Sequence, residues 1–282
     1  MADPLANPLY PTALFTLTQG HLKRLELCPR QFQYTYLERL AVTSDPAMLE
    51  RQRWGTQFHQ VMQQRELGLP VAPLLAQDAA LEAAVNGLLA AAPELFVAHP
   101  DGFRQSEHRR HLAFNGYGLT VIYDLLVMTP AQAQIIDWKT YLNPSSPAQL
   151  AQDWQTRLYL YVLVETTDLT PRQVSMDYWF VQPQGANPDD SPSPSARQSS
   201  PSHVPITYSA AQHRRTERDL RRLTNTLTAL MTTSGDLPQV DEAQGHCQRC
   251  PFAVRCQRLS ERYGVEPVQA LPRIEEIVEV PL

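Results

Sequence analysis

The chain has 282 residues, 43% of them hydrophobic, and 24 Lys plus Arg against 29 Asp plus Glu give a formal net charge of −5. That length and apolar share suffice for one large domain, while the acidic balance excludes a global basic field, so any nucleic-acid contact has to rest on local patches. No run of 18 apolar residues predicts a membrane span, and the opening MADPLANPLYPT lacks the basic start and apolar run of a secretory signal, so the expected location is the cytoplasm.

The first hundred residues read as helical. Leu22, Leu25, Phe32, Tyr36 and Leu40 fall near helical spacing, with Thr18 as N-cap and Pro29 dividing the stretch in two. Residues 51–67 predict a helix with Trp54, Phe58, Val61 and Met62 on one side, and the Ala/Leu-rich 74–96 predicts another, or a pair around Pro93. The period then changes. SEHRRHLAF, GLTVIYDLLVM and AQIIDWKTY read as three strands, joined by the short turns NGYG and TPAQ and therefore antiparallel in sequence order. Ser146, Pro147 and Gln149 form a capping-box start for a helix running to about Glu165. SMDYWFV is a fourth strand and VPITY a fifth, while 210–231 predicts a last helix. Between the fourth and fifth strands, residues 183–205 are Ser/Pro-rich without apolar period and are expected to be a disordered insertion. No phosphate-loop motif of a helicase motor occurs.

The expected architecture is a single α/β domain over 1–282: a helical part at 13–100, core strands and helix at 104–182, the insertion, and a helix with a cysteine segment at 206–260. That last segment contains HCQRCPFAVRC, with Cys247, Cys250 and Cys256; the fourth cysteine of the chain, Cys28, lies near its other end. Grouped cysteines in a reducing compartment point to metal or redox chemistry. Zinc modules usually unite two close pairs, whereas four thiolates can also serve a four-iron cluster; a zinc site and unrelated free thiols are the remaining readings.

In IIDWKT, Asp137 and Lys139 lie two apart and share a strand face. A carboxylate and an ammonium on an apolar strand are costly to bury unless used. The neighbouring strand carries one acid, Asp124, which antiparallel pairing can bring beside Asp137. Two carboxylates in one pocket repel, and magnesium or manganese relieves that repulsion through oxygen ligation. His59, four residues after Gly55, can add an imidazole ligand. Gln155 and Tyr159 share one face of the capped helix.

Together, the order Gly-x3-His, Asp, Asp-x-Lys, Gln-x3-Tyr resembles the RecB-like branch of the PD-(D/E)XK nucleases. Cys28 with C-x2-C-x5-C looks like the iron–sulphur staple of that branch, found in AddB-type repair nucleases and in CRISPR-associated exonucleases of the fourth kind. The resemblance spans about Cys28 to Cys256. It departs from the family at Val121, where a glycine often stands three residues before the metal-binding aspartate. It implies a restriction-endonuclease-like core, a mixed central sheet flanked by helices, and a Mg2+- or Mn2+-dependent deoxyribonuclease acting on single-stranded DNA ends in CRISPR adaptation or in recombination and repair, with a protein partner in such a complex. His59, Asp124, Asp137 and the Trp138 carbonyl would hold the metal. Lys139 would orient or deprotonate the attacking water, and Gln155 and Tyr159 would steady the lysine or the DNA. Cys28, Cys247, Cys250 and Cys256 would bind a 4Fe-4S cluster. Glu107 is a further candidate acid, and Lys23, Arg24, Arg30, Arg51 and Arg53 are candidate phosphate contacts. The alternatives are a non-catalytic iron–sulphur DNA-binding or scaffold subunit and a zinc-stapled hydrolase of another phosphoester.

Overall fold

A computed structural model describes residues 15–42, 45–97, 102–140, 146–182, 201–232 and 235–258. The chain divides into two compact units, Met1–Leu22 with Ser44–Thr226, and Lys23–Thr43 with Leu227–Leu282. Its elements in chain order begin with β1 (Thr16–Leu17), α1 (Gln19–Leu27), α2 (Pro29–Phe32), α3 (Pro46–Glu66), α4 (Ala72–Leu75) and α5 (Ala79–Ala91). There follow β2 (Phe103–Phe114), β3 (Tyr117–Met128), β4 (Ala133–Lys139), α6 (Pro147–Gln152), α7 (Trp154–Glu165), β5 (Val174–Phe180), β6 (Ser202–Thr207) and α8 (Ala210–Met231).

In the first unit, β2, β3 and β4 pair antiparallel in sequence order, as their short connections dictate. Asn115 and Gly116 both take positive φ, 49° and 84°, the conformation a two-residue hairpin turn requires. The helices α6 and α7 then carry the chain over, so that β5 lies parallel to β4, and β6 closes the edge antiparallel to β5. With β1 parallel to β3, the result is a mixed sheet flanked by helices. On one side, Phe58, Val61 and Met62 of α3 and Leu81, Val85 and Leu88 of α5 bury against Leu125, Ile136, Trp138 and Trp179 of the strands. Each such side chain contributes about 1.5–3 kcal/mol on full burial. The nearly continuous apolar run of α7 is buried from Leu158 to Leu163.

Local chemistry sets several boundaries. Asp45 caps α3 through the Ala47 N–H and Pro46 occupies the first helical position, so this helix starts five residues earlier than its apolar period alone indicated. The expected single helix from Ser146 to Glu165 is two. The capping box of Ser146 and Gln149 is present, but Asp153 is extended and its carboxylate accepts the Gln155 N–H, ending α6 and starting α7. Aspartate gains more from an N-cap than from a helix interior. The insertion expected over 183–205 is shorter at its end. Ser202–Pro205 belong to β6, where backbone pairing with β5 prevails over a Ser/Pro composition and Pro205 is tolerated on an edge strand. Residues 183–200 lie outside the described residues.

The second unit joins segments from the two ends of the sequence. Pro29 breaks α1 from α2, with Cys28 extended between them. The Arg30 guanidinium donates to the Leu237 carbonyl at 2.6 Å and pairs with Asp236 at 2.7 Å. The Gln33 amide accepts the Leu237 N–H at 2.7 Å. Tyr34 packs edge-on against Phe252 with ring centroids 5.3 Å apart, and Arg255 lies over its face. Among the described residues, no helix is long and apolar enough to cross a membrane.

Candidate active site

Asp124 lies where strand pairing lapses on both sides of β3. The paired register with β4 runs from Met128↔Ala133 to Leu125↔Ile136 and stops there. Asp124 Oδ2 instead accepts the Trp138 N–H at 2.8 Å. On the β2 side, Ser106↔Leu125 and His108↔Tyr123 pair, but Glu107 between them does not; its φ is 51°. A left-handed glutamate inside a strand is a strained arrangement, of a kind that clusters at functional sites. The Ser106 hydroxyl donates to the Asp124 carbonyl at 2.9 Å and helps hold this distortion.

His59 comes from α3. Its Nδ1 is 3.4 Å from Asp124 Oδ1. A Cβ built on Gly55, one turn earlier, would stand 2.7 Å from Thr140 Oγ1, so the glycine lets α3 come close to the end of β4. His59, Glu107 and Asp124 offer ligand atoms all within 4.8 Å of one another, the one such His/Cys/Asp/Glu group among the described residues. An open cleft adjoins them, lined also by Gln52, Thr56, Gln60, Gln63 and Thr140.

The second half of the site is an anchored ion pair. Asp137 is 2% exposed, and Lys139 Nζ lies 2.5 Å from its Oδ2. That oxygen takes no hydrogen bond of good geometry, so the ammonium beside it is its charge partner. Lys139 Nζ donates to Gln155 Oε1 at 2.8 Å, Gln155 Nε2 donates to Asp137 Oδ1 at 2.5 Å, and Nζ also sits over the Tyr178 ring. Tyr159, one turn along α7, is buried with its ring edge-on to Tyr123. Trp138 buries its indole in the core and gives its N–H to Asp124.

The electrostatics suit cation binding. Burial pushes the Asp137 carboxyl up; Lys139 opposes this and Asp124 adds to it. Burial, then the Asp124 charge, also raises Glu107. Burial works against charge on His59, but the hydrogen bond and charge of Asp124, with Asp137 and Glu107 behind it, outweigh burial and raise its pKa. The raised acids Glu107 and Asp137 and the raised imidazole of His59 would exchange protons for a divalent cation. Hard carboxylate oxygens with one imidazole suit magnesium or manganese.

In the second unit, Cys28, Cys247, Cys250 and Cys256 line one pocket, with Gln31, Val240 and Phe252 among its other walls. The Cys256 thiol is raised first by burial and then by Cys250 and Cys28. The four cysteines are free of disulfides. No three of their sulphurs lie within 4.8 Å of one another.

Residues 16–257 match the family described as the PD-(D/E)XK nuclease superfamily. The chain belongs to the PD-(D/E)XK nuclease superfamily. Its central mixed sheet flanked by helices is the core expected of such a nuclease. No curated protein matches it. The solved structures that resemble it include SSO0001, at 12% identity over 88% of each chain and a TM-score of 0.36, and a Eubacterium rectale protein bearing the name "Putative exonuclease", at 9% identity over 79% of this chain and 84% of that one, with a TM-score of 0.48. Both likenesses are too distant to add to what the family match shows.

Of the site residues singled out in the sequence, His59, Asp124, Asp137, Lys139 and Gln155 converge within the first unit, with Glu107 among them, and the four cysteines line one pocket of the second. Of the basic candidates, Arg30 is taken up by Asp236 and Leu237 and is not an open phosphate contact. Arg51 bonds the Ala47 carbonyl of its own helix and Arg53 pairs with Glu50. The sequence reading missed Asp153, Thr140 and Tyr178. Asp153 before an apolar helix was a visible capping signal; the other two reach the site only through tertiary packing. Val121, where glycine was expected, is a buried strand residue opposite Arg110.

Proposed function

We propose that this protein is a Mg2+- or Mn2+-dependent DNA exonuclease that hydrolyses phosphodiester bonds at single-stranded ends. The observation that carries this reading is the convergence of His59, Glu107 and Asp124 beside the anchored pair Asp137–Lys139. His59, Asp124 and Asp137 would hold the metal together with the Trp138 carbonyl, and Glu107 would be an added acid. Bound there, a divalent cation supplies Lewis-acid stabilisation of charge on the phosphate and acidifies water. Lys139 would orient the attacking water through its ammonium, or take that water's proton when it is itself in the neutral amine form. Gln155 fixes that ammonium and Asp137 in one geometry, so little reorganisation is needed during the reaction. Tyr159 supports Gln155 from the next turn. Cleavage of end-labelled single- and double-stranded DNA with Mn2+, lost in Asp124→Asn and Lys139→Ala, tests this. Retained cleavage in both variants would place the chemistry elsewhere.

The four cysteines would hold a four-iron cluster, as the resemblance to the RecB-like branch implies. Cys28 and the C-terminal trio come from the two separate segments of the second unit, so a shared cluster would staple them. Iron and sulphide analysis of protein purified without oxygen checks this.

A further inference from the structure

The outer face of α8 carries a line of charge that the catalytic site does not use. Thr216, Leu220, Leu223 and Thr224 form its buried row. Arg214, Arg218, Arg221 and Arg222 are exposed on the opposite side. At 1.5 Å rise per residue, Arg214, Arg218 and Arg222 repeat about every 6 Å along one stripe.

The acids of the helix turn away from Arg214 and Arg218. Glu217 is paired with Arg221 at 2.8 Å, and Asp219 turns toward α7 to pair with Arg157. Arg214 and Arg218 make no ion pair among the described residues. The direction of the stripe is set by two contacts. Asp219 meets Arg157 near the start of α7, and His213 meets Glu165 at its end, 3.0 Å apart. The helices therefore run antiparallel, and the stripe from Arg214 to Arg222 climbs toward the turn of α7 that holds Gln155.

We propose that this face is a path for the sugar–phosphate backbone of single-stranded DNA outside the catalytic cleft. The repeat of the guanidiniums is close to that of phosphates on an extended strand, and arginine pairs with phosphate through a two-pronged contact. An acidic protein would be the other polyanion, but a protein interface needs apolar anchors. The exposed residues that flank the stripe along the helix, such as Arg215, Asn225 and Thr226, are polar. In a chain of net charge −5 such a track has to be local, and it would give most of its affinity through counterion release. The inference rests on the nuclease reading for the identity of the strand.

The test measures binding apart from cleavage. Anisotropy of a labelled 30-nucleotide oligo(dT) is followed in EDTA at several KCl concentrations, using the full chain. In Arg214→Ala/Arg218→Ala/Arg222→Ala, affinity at low salt should fall 10-fold or more. The slope of log affinity on log salt should shrink by about 2, since each phosphate contact on a single strand contributes about 0.7. The matching triple Lys variant should keep the wild-type slope, and both should melt as the wild type does. Equal affinity and slope in the Ala variant would overturn the proposal, as would equal losses in the Lys variant. Lost binding of poly-L-glutamate with DNA binding intact would assign the face to an acidic protein and also overturn it. Wild type that binds the oligonucleotide through this face but cleaves nothing with Mn2+ would sink the nuclease reading alone.

Discussion

Gln155 holds Lys139 and Asp137 at once, accepting from Nζ at 2.8 Å and donating to Oδ1 at 2.5 Å. One neutral amide thereby sets the geometry of a buried ion pair without adding charge. Gln155→Glu keeps the size but faces Asp137 with a second carboxylate. Cleavage should fall about 10- to 100-fold, mainly in kcat, while the fold persists. Steady-state kinetics beside thermal melting would separate this from a stability defect; an unchanged kcat would remove Gln155 from the site.

Asp124 has a structural as well as a proposed metal role, because its carboxylate accepts the Trp138 N–H. Asp124→Ala would orphan that donor at a cost of about 1–3 kcal/mol. Asp124→Asn keeps an acceptor, so it should stay near wild-type stability and still lose cleavage about 100-fold or more. Combining it with Lys139→Ala should add little further loss, as both serve one step. A simple product of the two single effects would argue against a shared step.

Gly55 and Thr140 should behave as a pair. Gly55→Ala brings a Cβ to 2.7 Å from Thr140 Oγ1, forcing α3 or the end of β4 to move and shifting His59. Activity should drop several-fold, and Thr140→Ala added to Gly55→Ala should restore much of it. Single-turnover cleavage rates of the two single variants and the double variant decide the coupling.

Protons and metal should compete at the raised groups. Burial and mutual repulsion raise Glu107 and Asp137, and Asp124 raises His59 against the effect of burial. Acids with raised folded pKa values bind more protons folded than unfolded, so the metal-free protein loses stability as pH rises from the ordinary carboxylate range through those raised values. Protonated His59 contributes stability below its ordinary value that is lost as pH rises through its raised one, which acts in the same direction. Added Mn2+ should therefore raise Tm more at pH 7.5 than at pH 5, and cleavage should climb across that interval. A Tm shift independent of pH would show that the metal binds elsewhere.

Cys28 should be as necessary as the C-terminal trio. Wild type purified without oxygen should contain about four irons per chain if the set builds a cubane. Cys28→Ser should lose that iron and lower Tm, because the staple between the two segments of the second unit is opened. Stoichiometric zinc in place of iron would assign the site to zinc.

The sequence by itself determined much of the strand order and named most of the residues that the fold brings together around Asp124 and Lys139. Period-2 stretches joined by two- to four-residue turns leave β2, β3 and β4 little choice but an antiparallel meander, and strand alternation places Asp137 and Lys139 on one face. Local capping chemistry was equally legible at Ser146. Only tertiary structure decided the rest. The break at Asp153 came from one carboxylate preferring a cap to a helix interior, against an otherwise helical pattern. Glu107 joined the site through a positive φ that strand propensity cannot announce. The close approach at Gly55 became meaningful only once Thr140 lay opposite it, and Arg30 left the candidate phosphate contacts once Asp236 and Leu237 did. Periodicity and caps act between neighbours in the chain, whereas these outcomes depend on which distant groups packing brings within a few ångströms.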